Sequence, residues 1–227
     1  MFYSKWGLRV LGINENNEII IQGIFTGEPK FSHELFGVKF YEGRFLVNRL
    51  SEVKDELIVI LSETWLNTVH LHKSDLMQIT GQIRSYNEIS KPKNKLLLRV
   101  FARDIMVAKT ISEEPNFVKL KGYLCREPIY RTTPFGREIS DLLVAVNRAH
   151  QKTDYIPVIA WGSYAKMLRD YKIGSEIEIL GRLQSRVYEK VLDSGEIVER
   201  VVYEVSSSRI MDVVQIPAIF KEEMAYS

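Results

Sequence analysis

The sequence predicts an all-β protein made of two tandem copies of one five-stranded barrel. Two observations support this prediction. Residues 23–60 align with residues 122–159 at a constant shift of 99 positions and without a gap, so that Gly23 meets Gly122 and Asp55 meets Asp154. Each copy also holds several short strand-like segments and a single helical one, an order that argues against a doubly wound α/β sheet. A period of 99 residues is the size of a small domain and is too long for a solenoid unit.

The second copy shows the order of elements most clearly. Its strands are predicted from strand-like apolar runs at 116–125, 139–147, 154–161, 175–188 and 201–210. A helix is predicted at 163–171, where Ala165, Leu168 and Tyr171 recur every three residues. Ser163 is its expected cap, and Gly174 lies just past its end. Turn residues occupy 132–136, and residues 193–195 carry a hairpin signal.

The first copy follows the same order. Strands are predicted at 19–25, 38–48, 56–61, 78–86 and 95–106, and a helix at 63–71. Three strands, one short helix and two strands suit a five-stranded barrel of the OB type, which binds oligonucleotides or oligosaccharides. We therefore predict an N-terminal OB fold at 1–108, a linker at 109–115, a C-terminal OB fold at 116–214 and a short tail at 215–227.

Composition excludes several classes of protein. The net charge of +2 neither requires nor rules out nucleic acid, and the longest apolar runs are far too short for a membrane span. Cys125 stands alone, so no intramolecular disulfide is possible, and the N-terminus shows no secretory signal; we expect a cytoplasmic protein. No nucleophile–base set or phosphate-binding loop is present, and His70 and His72 lack further ligands. We expect no metal, no cofactor and no enzymatic activity.

Strand alternation places polar and aromatic side chains on one outer face of each copy. In the fourth strand of the second copy, Ile177, Ile179 and Leu183 point inward, whereas the outer set is Arg182, Gln184, Arg186 and Tyr188. In the first copy Ile79 and Ile83 point inward, and the outer set is Gln82, Arg84 and Tyr86. Cations that follow phosphates and rings that stack on bases would make this face a single-strand binder. A subunit interface or a plainly solvated face would give the same pattern.

Four motifs in the second copy make a more specific pattern when taken together. They are GYLCREP at 122–128, VAVNR at 144–148, YIPVIAWG at 155–162 and LGRLQSRVY at 180–188. With these motifs, residues 116–213 resemble the bacterial single-stranded DNA-binding protein family. The resemblance implies sequence-nonspecific binding of single-stranded DNA in replication, recombination or repair. It places Tyr155, Trp161 and Tyr188 at base-stacking positions and His150 near a fourth.

The resemblance and the strand faces together give a set of predicted nucleic-acid-binding residues. In the second copy these are Tyr155, Trp161, Tyr188, His150, Arg148, Arg182, Arg186 and Lys190. In the first copy they are Arg49, Arg84, Tyr86, Lys93 and Lys95. The first copy has Glu56, Ser62 and Ser51 where the second has its rings or His150. We therefore expect the second copy to stack bases and the first to supply mainly charge, scaffold or a partner surface.

The resemblance also implies partners. We expect single-stranded DNA as the ligand, with RNA possible because stacking and phosphate contacts do not separate the two. Four OB folds in the working assembly would require a homodimer. Replication or repair proteins are possible partners, although the tail lacks the acidic tip that is typical of the family. The alternative is a replication-accessory or scaffolding protein of the primosomal type, whose aromatic face is a protein interface.

Overall fold

The computed structural model describes residues 16–49, 51, 53–68, 75–88, 95–149, 151–191 and 195–214. This part of the chain is built almost entirely from strands. Its first half contains β1 Asn17–Phe25, β2 Lys30–Leu35, β3 Val38–Asn48, β4 Lys54–Ser62, α1 Glu63–Thr68, β5 Met77–Glu88 and β6 Lys95–Val107. Its second half contains β7 Asn116–Leu124, β8 Ile129–Thr132, β9 Glu138–Asn147, β10 Thr153–Trp161, α2 Gly162–Leu168, β11 Glu176–Val191 and β12 Ile197–Val214.

The strand pairings close a five-membered ring in each half. Strand β1 pairs with β3, β3 with β4, β4 in parallel with β6, β6 with β5, and β5 again with β1. The second half repeats the ring through β7, β9, β10, β12 and β11. The predicted all-β OB fold, with its helix between the third and fourth barrel strands, is confirmed.

Two strands and the helix bounds differ from the prediction. Strands β2 and β8 extend hairpins with β3 and β9; every residue of β2 is exposed, so burial leaves no alternating pattern in its sequence. Helix α2 begins at Gly162, and its N-cap Trp161 makes no side-chain capping bond, so Ser163 does not cap it. The helix ends at Leu168, well before Gly174. No helix in the described ranges is both long and apolar enough to span a membrane.

The inward side chains of both barrels form the core as predicted. Ile177, Ile179 and Leu183 are buried on β11, and Ile79 and Ile83 are buried on β5. Together with the inner residues of the other strands they form a continuous apolar cluster that includes both halves. Because these side chains point into the core, the alternate side chains of the same strands point outward.

Strands β1 and β7 join the two halves edge to edge with an approximate two-fold symmetry. Ile19 faces Val118, its own repeat partner 99 residues later. The pairs Asn17–Leu120 and Ile21–Asn116 are exchanged by the same shift. The contact is therefore isologous, as in a two-fold dimer, although one chain supplies both surfaces.

Matching asparagines lie at the two ends of this junction, and each bonds within its own barrel. Asn17 Nδ2 donates to the Ile83 carbonyl at 2.8 Å, and Asn17 Oδ1 accepts from the Ile83 N–H at 2.9 Å. Asn116 makes the same two bonds to Leu183, at 2.7 and 3.0 Å. Each asparagine side chain thus bonds to the backbone N–H and carbonyl of one residue on the neighbouring strand of its own barrel.

Candidate nucleic-acid interface

Two of the predicted stacking rings lie on β10 and point away from the core. Ile156, Val158 and Ala160 are buried inside the barrel, and the alternating positions therefore face outward. Tyr155 is 43% exposed. Trp161 is half-buried, and its indole Nε1 donates to Ser206 Oγ on β12 at 2.9 Å. This bond holds the indole ring in one orientation at the end of the strand.

The third predicted ring, Tyr188, lies on the part of β11 that extends with β12 as a long hairpin. It is 38% exposed, and the guanidinium carbon of Arg186 lies 5.8 Å from its ring centroid. Arg200 faces it on β12. An exposed ring between two cations has the chemistry that single-stranded nucleic acid requires.

A groove of about 650 Å³ opens beside Trp161 and draws residues from both halves. Four arginines belong to its described lining: Arg49, Arg137, Arg182 and Arg209. Two polar atoms in this lining, Arg182 Nε and Ser207 Oγ, are buried and lack a hydrogen-bond partner among the described residues. Buried polar groups are normally paired, so these two atoms are exceptions in the lining of the groove.

Arg49 lies in this groove but is already bound by a carboxylate. Its Nε and Nη2 donate to the two oxygens of Asp55 at 2.8 and 2.7 Å, and Nη2 also donates to the Ser185 carbonyl of the other half. Asp55 is fully buried and accepts from the N–H and hydroxyl of Ser185 at 2.7 and 3.0 Å. The hydrogen bond to Asp55 is the main reason that the pKa of Arg49 is raised.

The repeat builds the equivalent cluster around Asp154, related by the approximate two-fold symmetry. This carboxylate is also fully buried and accepts from the N–H of Ser85 in the first half at 2.7 Å. Two guanidinium groups share it: Arg84 Nη1 lies at 3.3 Å and Arg148 Nε at 3.0 Å. Burial, followed by the charge of Arg148, lowers the pKa of Arg84. We call the two groups around Asp55 and Asp154 the carboxylate clusters.

Three predicted nucleic-acid contacts, Arg49, Arg84 and Arg148, therefore lie in the carboxylate clusters between the halves. The predicted outer residues Gln82 and Gln184 are buried as well; Gln82 Oε1 accepts from Arg84 and Arg103, and Gln184 donates to Glu204. These side chains lie on the face opposite the inward residues of their strands, but neighbouring side chains cover that face at these positions.

The remaining predicted residues are scattered. Tyr86 is 38% exposed on β5, and burial of much of its ring raises its pKa. Lys95 opens β6 and is partly exposed. His150, Lys93, His70, His72 and the tail 215–227 lie outside the described residues, as does the side chain of Lys190. Their predicted roles stay predictions.

The structure adds residues that the sequence reasoning missed. Tyr123 on β7 and Tyr155 on β10 flank Ala145 on the same face of the sheet, and Tyr123 is 40% exposed. Alternation along β7 alone would have indicated that Tyr123 points outward, since its neighbours Gly122 and Leu124 are buried. Arg137 and Arg209 reach the groove from a turn and from β12, and no local sequence pattern marks them.

The second half carries three outward rings, one of which lines the groove. Tyr155, Trp161 and Tyr188 offer flat apolar faces, and the groove arginines offer donors to anionic oxygens. Rings and guanidinium groups of this kind can hold unpaired nucleotides through stacking and phosphate contacts.

Comparison with known proteins agrees with this chemistry. Residues 115–211 match the model of the single-strand binding protein family. Over 81 residues, or 33% of the chain, the sequence is 37% identical to single-stranded DNA-binding protein 1 of Staphylococcus aureus and 36% identical to the single-stranded DNA-binding protein of Oceanobacillus iheyensis. The matched region spans about half the length of these curated relatives.

A second set of relatives spans both halves. The single-stranded DNA-binding protein of Thermus thermophilus is 23% identical over 201 residues, which are 81% of this chain and 68% of that protein. The crystal structure of wild-type single-stranded DNA-binding protein from Thermus aquaticus superposes with a TM-score of 0.67 at 21% identity, covering 89% of this chain and 95% of that one. This likeness shows a shared fold. The match to the single-strand binding protein family lies within the second half of the chain, at residues 115–211.

Proposed function

We propose that this protein binds single-stranded DNA without sequence preference, in replication, recombination or repair. The groove at Trp161, lined by four arginines from both halves, is the observation that carries the proposal. The guanidinium groups in its lining suit a ligand rich in acceptor oxygens. The names of the relatives agree with this ligand.

Binding would combine two kinds of contact. Bases stack on Tyr155, Trp161 and Tyr188, and because every base has a π face, stacking tolerates any sequence. Phosphates are held by arginines whose charge is not already matched in the carboxylate clusters, chiefly Arg182 and Arg209. Release of counterions from the strand makes such binding weaken as salt increases.

Removal of a stacking ring should weaken binding and leave the fold intact. For Trp161→Ala and for Tyr155→Ala we expect a loss of about 1–3 kcal/mol in binding free energy, the usual contribution of one stacked base. The measurement is a titration of fluorescently labelled oligo-dT at several salt concentrations, with the particle mass followed in parallel.

Met167→Ala is the matched control, since Met167 is 40% exposed on α2 and is not among the residues that line the groove. It should bind DNA like the wild type. Normal binding by the two ring variants together with loss of the assembled particle would instead favour the protein-interface function. Binding of oligo-U as tight as that of oligo-dT would extend the proposal to RNA.

We further propose that the working particle is a homodimer with four barrels. Four exposed apolar side chains share one face of the β11–β12 hairpin, and a second copy of the chain would bury them. They are Val187, Val191, Ile197 and Val201. Sedimentation equilibrium should give twice the 26.3 kDa of one chain. A monomer at micromolar concentration would contradict this proposal and leave DNA binding untouched.

A further inference from the structure

The two barrels carry aromatic rings at different strand positions near the end of their third barrel strands, β4 and β10. In the second half, Trp161 at the end of β10 bonds to Ser206 of β12. In the first half the residue matching Trp161 is Ser62, which has no ring. The residue matching Ser206, however, is an aromatic one.

Strand register establishes this second match. Ser206 pairs with Ile159, two residues before Trp161. Phe101 on β6 pairs in the same parallel manner with Ile60, two residues before Ser62. The tryptophan–serine pair of the second half is therefore a serine–phenylalanine pair in the first, with the ring moved to the adjacent strand.

Phe101 is part of a row of rings. Phe40 on β3 faces Ser62 from the other side, and its ring centroid lies 5.7 Å from that of Phe101. His33 on β2 stacks on Phe40 at 5.0 Å with an interplanar angle of 14°. The guanidinium carbon of Arg84 lies 5.8 Å from the Phe101 centroid. Phe40 and Phe101 are partly exposed, and His33 is exposed.

We propose that the first half also stacks bases, on Phe101 and Phe40, in the role that Trp161 has in the second half. The inference rests on the proposed function, because it extends the same ligand across the chain. It replaces the expected division in which the first half supplies only charge, scaffold or a partner surface. Two partly exposed rings beside a small Ser62 leave apolar ring surface next to a cation, which suits an unpaired base.

The first experiment removes the ring and keeps a large apolar side chain. Phe101→Leu keeps an apolar contact with Phe40 but loses the π face. We expect its affinity for labelled oligo-dT to fall about 5- to 150-fold, the fold-change of one lost stacked base. Phe25→Leu is the control, since Phe25 is a ring buried inside the same barrel; it should lower the unfolding temperature but not the affinity. Phe40→Leu replaces Phe101→Leu if that variant does not fold.

The second experiment moves the ring in the other half. Trp161→Ser should lose affinity, and addition of Ser206→Phe should restore most of it by copying the arrangement of the first half. Failure of Ser206→Phe to restore any affinity would overturn the equivalence of the two positions. If Trp161→Ser weakens binding and both Phe101→Leu and Phe40→Leu bind like the wild type, this inference falls and the proposed function stands. If all of these variants bind like the wild type, the proposed function falls with it.

Discussion

Replacement of Asp154 by alanine is expected to lower the free energy of unfolding by about 3–5 kcal/mol, the usual cost of breaking a buried ion pair from one side. Asp154 is fully buried, and its loss leaves Arg84 and Arg148 without their shared carboxylate. The Ser85 N–H of the other half loses its acceptor as well. Urea denaturation followed by circular dichroism measures the change.

Asp141→Ala is the matched control for this prediction. Asp141 forms an ion pair with Arg131 at 2.6 Å, but that pair is on the surface, and its loss should cost no more than about 1 kcal/mol. Similar losses for the two variants would show that the carboxylate clusters do not hold the halves together. Asp55→Ala, in the equivalent cluster, should behave like Asp154→Ala.

Substitution of Gly23 by alanine should also destabilise the protein, by about 1–3 kcal/mol, as expected for overpacking against a rigid neighbour. A Cβ atom on Gly23 would lie 2.1 Å from the Leu46 carbonyl oxygen, so the backbone of β3 must move. Thermal unfolding measures the effect.

Gly27→Ala provides the comparison, because nothing lies within 4 Å of a Cβ at that position. A shift in unfolding temperature as large for Gly27→Ala as for Gly23→Ala would mean that the close approach of β1 and β3 is not what requires a glycine. Gly122, the repeat partner of Gly23, would meet the Ala145 carbonyl in the same way, at 2.4 Å.

The repeat predicted more of the structure than any single motif did. It matched Gly23 with Gly122 and Asp55 with Asp154, and the structure supplies the physical reasons: close strand packing and the carboxylate clusters. Inward residues such as Ile79 and Ile179 followed from alternation, since a half-buried strand sorts its side chains by polarity. The all-β fold could therefore be derived from the sequence.

What could not be derived depends on contacts between distant segments. Arg49, Arg84 and Arg148 have the sequence features of phosphate contacts, and only the approach of the other half shows that they bind Asp55 and Asp154. The aromatic role of Phe101 depends on parallel pairing with β4, about 40 residues earlier in the chain, and the shift that relates it to Ser206 differs from the shift of the main repeat. Strand β2 left no signal because water covers both of its faces.

The edge-to-edge junction of β1 with β7 has a consequence for how such a protein can change. In a dimer of identical subunits, any substitution appears on both sides of the axis at once. When one polypeptide supplies both sides, each side can acquire its own substitutions while the junction between them is kept. The two barrels then present unlike outer surfaces, as at Trp161 and Ser62, and the two ends of the molecule are not equivalent.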